Sequence, residues 1–116
     1  MKTLMLALLV AATGVATPAS AQDYPAHPVK LVVPYAAGGL PDTMARVAGQ
    51  KVGDALGQSF VVDNRGGAGG IVGTEAVAKS PPDGYTLLVA DVAQIAINPH
   101  LYATLPYDGL KDFAPV

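Results

Sequence analysis

Three short apolar runs restrict what this chain can fold into. Leu31-Val32-Val33, Phe60-Val61-Val62 and Tyr85 to Ala90 are too brief for helices and rich in β-prone residues, so each reads as a strand. Between the first two, Asp42 to Leu56 sets Met44, Ala48, Val52, Ala55 and Leu56 along one helical face, the face expected to meet the core. Gly57 stands where a left-handed residue ends a helix. Gly49 and Gly53 each weaken a helix by about 1 kcal/mol against Ala, which points to close packing on a neighbour. Between the second and third runs, Ile71 to Lys79 reads as a shorter helix with Glu75 and Lys79 paired on its outer face, and Ser80-Pro81-Pro82-Asp83-Gly84 is a turn. The order is therefore strand, glycine loop, helix, taken twice, then a strand. Right-handed crossovers make such strands neighbours in a parallel α/β sheet, with both glycine loops and the end of the third strand at its carboxyl edge. Ligands of open α/β sheets bind at that edge.

The first loop, Ala36-Ala37-Gly38-Gly39, carries no side chain larger than a methyl, so a ligand can approach bare backbone. Pro41 and Asp42 then mark a helix start, where unpaired amides and the dipole attract a carboxylate or another anion. A plain strand-to-helix connection has the same look, and this stretch alone leaves both readings open. Asp42 and Arg46, four apart, form an acid-first pair of the kind found on helix surfaces.

At the start of the chain, Lys2 precedes an apolar run from Leu4 to Val10, and Ala19-Ser20-Ala21 has the form of a signal peptidase site. Residues 1–21 read as a secretory signal peptide cleaved before Gln22; an uncleaved anchor is the alternative, although the run is shorter than the roughly 20 residues a membrane span needs. The chain has 7 basic and 9 acidic residues and no basic stripe, which argues against a nucleic-acid partner. It has no cysteine, so neither disulfides nor thiolate metal sites are available. His27 and His100 are not spaced as metal ligands, and His27 reads as a solvated loop residue. No nucleophile elbow occurs, and Asp83 and Asp108 sit beside glycines in turns, where an acid usually serves the backbone. The glycines of the second loop also fail the dinucleotide fingerprint: Val72 stands where the third glycine belongs, and Asp63 to Gly66 separate strand from glycine. A nucleotide-dependent α/β enzyme is thus the weaker alternative. Val92 to Ile97 reads as a helical turn broken by Asn98-Pro99, with another turn over His100 to Leu105. Phe113 to Val116 opens an apolar element that nothing terminates, so the sequence reads as the N-terminal part of something longer; a chain truly ending there would be a non-binding remnant.

The ordered motifs Val33-Pro34-Tyr35-Ala36-Ala37-Gly38-Gly39, Asp42 with Ala45-Arg46, Val61-Val62-Asp63-Asn64-Arg65, Gly67-Ala68-Gly69-Gly70, Pro82-Asp83-Gly84-Tyr85, Ile97-Asn98-Pro99 and Leu105-Pro106-Tyr107-Asp108 resemble the Bug solute receptors of tripartite tricarboxylate transporters. The resemblance covers nearly all of residues 22–116. It implies a periplasmic-binding-protein-like α/β fold, of which this is part of the first lobe only, and a periplasmic receptor rather than an enzyme. It implies a small carboxylate-bearing solute, no cofactor and no catalytic or metal residue, and membrane subunits of such a transporter as partners. By the same resemblance the loop from Tyr35 to Asp42, with Gly38 and Gly39, holds a ligand carboxylate, while Gly69, Gly70 and the stretch from Asp91 to Gln94 face the cleft. Two departures stand out: Leu40-Pro41 replaces a hydroxyl-bearing residue before the aspartate, and Asp91-Val92-Ala93-Gln94 replaces a Ser/Thr-rich strand end. An acid at Asp91 repels anions if it faces the ligand, which favours a zwitterionic, amide-bearing or cationic solute, and is neutral to them if it turns into a local bend.

Overall fold

The computed structural model describes residues 23–116, and the expected leader over residues 1–21 lies outside them. Strands β1 (Val29–Val33), β2 (Phe60–Asn64) and β3 (Thr86–Leu88) form one parallel sheet in the order β2-β1-β3. Val29 to Val33 lie opposite Phe60 to Asn64, and Lys30 to Val32 lie opposite Thr86 to Leu88. The middle strand is the core: Val29, Leu31, Val32 and Val33 are buried although they point alternately to the two faces. Each such side chain contributes roughly 1.5–3 kcal/mol by leaving water. β3 is shorter than the apolar run that predicts it and only half-buried, because it has a strand on one side only among the described residues. Backbone bonds from Lys30 N–H to the Tyr85 carbonyl and from Val89 N–H to the Val32 carbonyl extend its pairing at both ends.

Helix α1 (Leu40–Leu56) connects β1 to β2, and α2 (Ile71–Ala78) connects β2 to β3. The first crossover runs from β1 outward to β2 and the second from β2 back across β1 to β3, so by the right-handed rule for parallel crossovers the two helices cover opposite faces of the sheet. Gly57, at φ 69°, ends α1 and donates its N–H to the Gly53 carbonyl, as the sequence predicts. The buried face of α1 differs from the expected one. Asp42, Ala45 and Gly49 are buried, whereas Met44 is 61% exposed and Ala48, Val52, Ala55 and Leu56 also face outward. The reason lies in the glycines: a Cβ on Gly49 would stand 2.9 Å from Leu31 Cδ1 and 3.3 Å from Phe60 Cβ, so the strands bring the bulk and the helix supplies the gap.

After β3, a π-helical turn (Ala93–Ile97) runs directly into α3 (Asn98–Leu101), so Asn98-Pro99 does not break the helix as expected. Proline in the first turn needs no amide partner, and here it marks the change from π to α winding. At the amino edge of the sheet, Tyr24 Oη donates to the Gly84 carbonyl, and the exposed His27 ring stacks on Tyr85 with centroids 3.6 Å apart. Asp83 and Asp108 accept backbone N–H groups of Tyr85 and of Leu110 and Lys111, the turn duty read from the sequence.

Candidate binding edge at the carboxyl end of the sheet

The order β2-β1-β3 reverses direction between β1 and β3, and at such a switch point the loops leaving the two strands part to open a crevice. The loop from β1 is Tyr35 to Gly39. Gly38 has φ 90°, Gly39 is the N-cap of α1, and no side chain caps that helix. The first helical bond is Thr43 N–H to the Gly39 carbonyl at 3.0 Å, which leaves the amides of Gly39, Leu40 and Asp42 without an intrahelical acceptor. With the positive end of the helix dipole, they favour an anion.

Asp42 supports this loop from within. It is 4% exposed; its Oδ2 accepts the Gly38 N–H at 2.9 Å and Arg46 Nε at 3.1 Å. Its Oδ1 lies 3.0 Å from Arg46 Nη2 outside hydrogen-bond geometry, so that oxygen is held by charge alone. Arg46 Nη2 also donates to Asn64 Oδ1, and Asn64 Nδ2 donates to the Tyr35 carbonyl, both at 3.3 Å. The expected surface pair is instead a half-buried clamp joining α1, β2 and the loop. Arg46 first and the Gly38 amide second hold the Asp42 carboxyl down at about 2, so the clamp is charged at any ordinary pH.

From β3, the chain brings Asp91 and Gln94 to the same place. Asp91 N–H donates to Gln94 Oε1 at 2.9 Å, Gln94 Nε2 donates to Tyr35 Oη at 2.9 Å, and Tyr35 Oη donates to Asp91 Oδ2 at 2.7 Å. Asp91 Oδ1 accepts the Ala93 N–H at 2.7 Å. Asp91 thus serves the local bend with one oxygen, the second of the two alternatives read from the sequence, while its other oxygen holds the Tyr35 hydroxyl of the first loop. Burial, and next the adjacent Asp91 carboxylate, push the Tyr35 phenol above its ordinary value.

The second glycine loop closes the group. Its 3-10 turn (Ala68–Gly70) leads into α2, and Gly70 has φ 86°, with a Cβ there falling 2.5 Å from Gln94 Nε2. Asn98 Nδ2 donates to the Gly69 carbonyl at 3.1 Å and to Tyr107 Oη at 3.2 Å, and Tyr107 Oη donates to the Gln94 carbonyl at 3.0 Å. Thus Tyr35, Gly69, Gly70, Asp91 and Gln94 are gathered in one network, with Gly38, Gly39 and Asp42 on the loop beside it. Gln94, at 0% exposed, and Asp42 shape the edge from below, while Gly38, Gly39, Gly69 and Asp91 are open to solvent. Sequence reasoning gave Asn64, Asn98 and Tyr107 no role at this edge. An asparagine before proline reads as a breaker, and its burial at 3% exposed is the one signal that marks it as a brace.

A groove of about 430 Å³ beside Ile95 and Tyr107 lies next to this edge without occupying it, and another of about 420 Å³, lined by Gly53, Gly57, Ser59 and Phe60, lies at the opposite, amino edge of the sheet. Among the described residues, no three His, Asp or Glu side chains gather as a metal site. The chemistry on offer is capture of a small anion by backbone amides on a fixed loop.

Comparison with known proteins agrees with this architecture. Residues 44–116 match the model of the tripartite tricarboxylate transporter family receptor. The protein BugT of Bordetella pertussis is 46% identical over 113 residues, covering 97% of this chain and 35% of its own length. A solved periplasmic transporter superposes with TM-score 0.74 at 45% identity, over 76% of this chain and 30% of that one. MatC from Rhodopseudomonas palustris with bound malate superposes with TM-score 0.77 at 39% identity, over 80% of this chain and 32% of that one. The chain spans about a third of the length of the relatives it matches. Its parallel-sheet α/β lobe is of the periplasmic-binding-protein type those structures share.

Proposed function

The chain belongs to the tripartite tricarboxylate transporter receptor family, and from that premise we propose that it holds one wall of a receptor for a small carboxylate-bearing solute. The observation that carries the reading is the meeting of Tyr35, Gly69, Gly70 and Asp91 beside the uncapped start of α1, at the switch point between β1 and β3. The loop takes the carboxylate on the free amides of Gly39 and Leu40, Asp42 keeps that loop in shape through the Gly38 N–H, and Gly69 to Gly70 with Asp91 to Gln94 form the facing rim. The malate bound by MatC supports the solute class. The protein acts by binding and not by catalysis. It works in the periplasm, reached through a leader over residues 1–21, with residues 22–116 forming part of the first lobe. Its partners are the membrane subunits of a tripartite transporter.

Thermal melts of the purified full chain in a panel of di- and tricarboxylates test the proposal. A binder present at 100 times its Kd stabilises by about 2.7 kcal/mol, a shift easily seen. Flat melting temperatures across the panel and across its amino-substituted counterparts would remove the receptor reading.

A further inference from the structure

The hydrogen bonds joining Tyr35, Asp91 and Gln94 have only one consistent direction. A backbone N–H can only donate, so the Asp91 amide fixes Gln94 Oε1 as the acceptor and turns Nε2 toward Tyr35. Tyr35 Oη, already accepting from Gln94, gives its single proton to Asp91 Oδ2. The second Nε2 proton of Gln94 is not presented, because Gln94 is 0% exposed. What this rim shows a solute is therefore oxygen lone pairs: those of an exposed carboxylate and of a phenol whose proton is already committed.

Resting on the receptor reading above, we propose that Asp91 is a cation-accepting subsite and that the solute is an ammonium-bearing carboxylate, a zwitterion of amino-acid type. The two ends of the site carry opposite polarity. Amides at the start of α1 receive the carboxylate, and Asp91 with Tyr35 receives the ammonium, which has only donors to offer. A second carboxylate placed against Asp91 meets like charge and no donor. Tyr35 couples the ends, since it begins the anion-holding loop and its hydroxyl rests on Asp91.

Titration calorimetry on the purified full chain tests this with two matched pairs, succinate against aspartate and glutarate against glutamate. The chain as it stands is expected to bind at least one amino compound about tenfold or more tightly than its plain dicarboxylate, the scale of one hydrogen bond to a charged group. Asp91→Asn keeps an acceptor for Tyr35 while removing the charge, and is expected to abolish that preference. Asp91→Asn is expected still to bind the plain dicarboxylates, and Met44→Gln, on the exposed outer face of α1 and outside the site, is expected to keep the native preference, which separates loss of the subsite from loss of the fold. Equal or tighter binding of the dicarboxylates, or a preference unchanged in Asp91→Asn, overturns the subsite and leaves the receptor standing. Binding of neither class overturns both.

Discussion

Gly38 and Gly70 have nearly the same backbone, φ 90° and 86°, and each lies in a glycine loop at the carboxyl edge of the sheet. A Cβ on Gly38 would meet nothing within 4 Å, whereas one on Gly70 would lie 2.5 Å from Gln94 Nε2 and 3.4 Å from Pro34 Cβ. The first loop is open and is held from below by the Asp42 carboxylate; the second is filled and is held by contact. One residue type thus does two jobs. In the first loop the missing side chain exposes amides to solvent, and in the second it makes room for the buried amide that orients Tyr35. An open loop depends on its clamp, and a closed one on its volume.

Substitution can break or sharpen that contrast. Gly70→Ala strains a positive φ and drives a methyl into Gln94, so urea melts are expected to show a loss of about 2–4 kcal/mol. Asp42→Asn removes the charge that holds the open loop and is expected to come second, lowering Tm by less than Gly70→Ala does. Its dependence on pH has a definite sign. The carboxyl is depressed from 3.8 to about 2, so the stability it brings is complete above about pH 4 and is lost as the pH falls through 2. The gap in Tm between the native chain and Asp42→Asn should therefore be constant at neutral pH and close in that acid window. Gly38→Ala carries only the backbone strain, about 1 kcal/mol by the same melts. A loss equal to that of Gly70→Ala would erase the distinction between the loops. Smallest of all, Met44→Gln on the outer face of α1 is expected to stay within about 0.5 kcal/mol, and a larger loss would mean that this face is covered.

The strands and the left-handed stop at Gly57 are legible because each rests on neighbours in sequence, and the convergence of both glycine loops because parallel crossovers leave the loops after the strands on one edge. The facing of α1 is not. Its apolar residues outline a stripe, yet the buried stripe is Asp42, Ala45 and Gly49, since helix and strand share one packing volume and Leu31 and Phe60 had already filled it. Asp42 looked like a surface acid for a related reason: its burial depends on Arg46 and Asn64, and the asparagine arrives only with β2. The ring of Tyr35, Asp91 and Gln94 was legible as a set of positions through family resemblance. Its direction follows from backbone geometry, which no pattern of residue types records.

The central place of β1 also sets an order in time. Both strands that flank it come later in the chain, and the farther one arrives after two complete crossovers. Closing so distant a pairing costs chain entropy before any contact repays it, so β3 joins late. Asp91 and Gln94 follow β3 and have no station until it docks. A chain that has made only β1, α1 and β2 already has the free amides at the start of α1. In the site proposed above, the choice among solutes rests on the last of these three strands to be made.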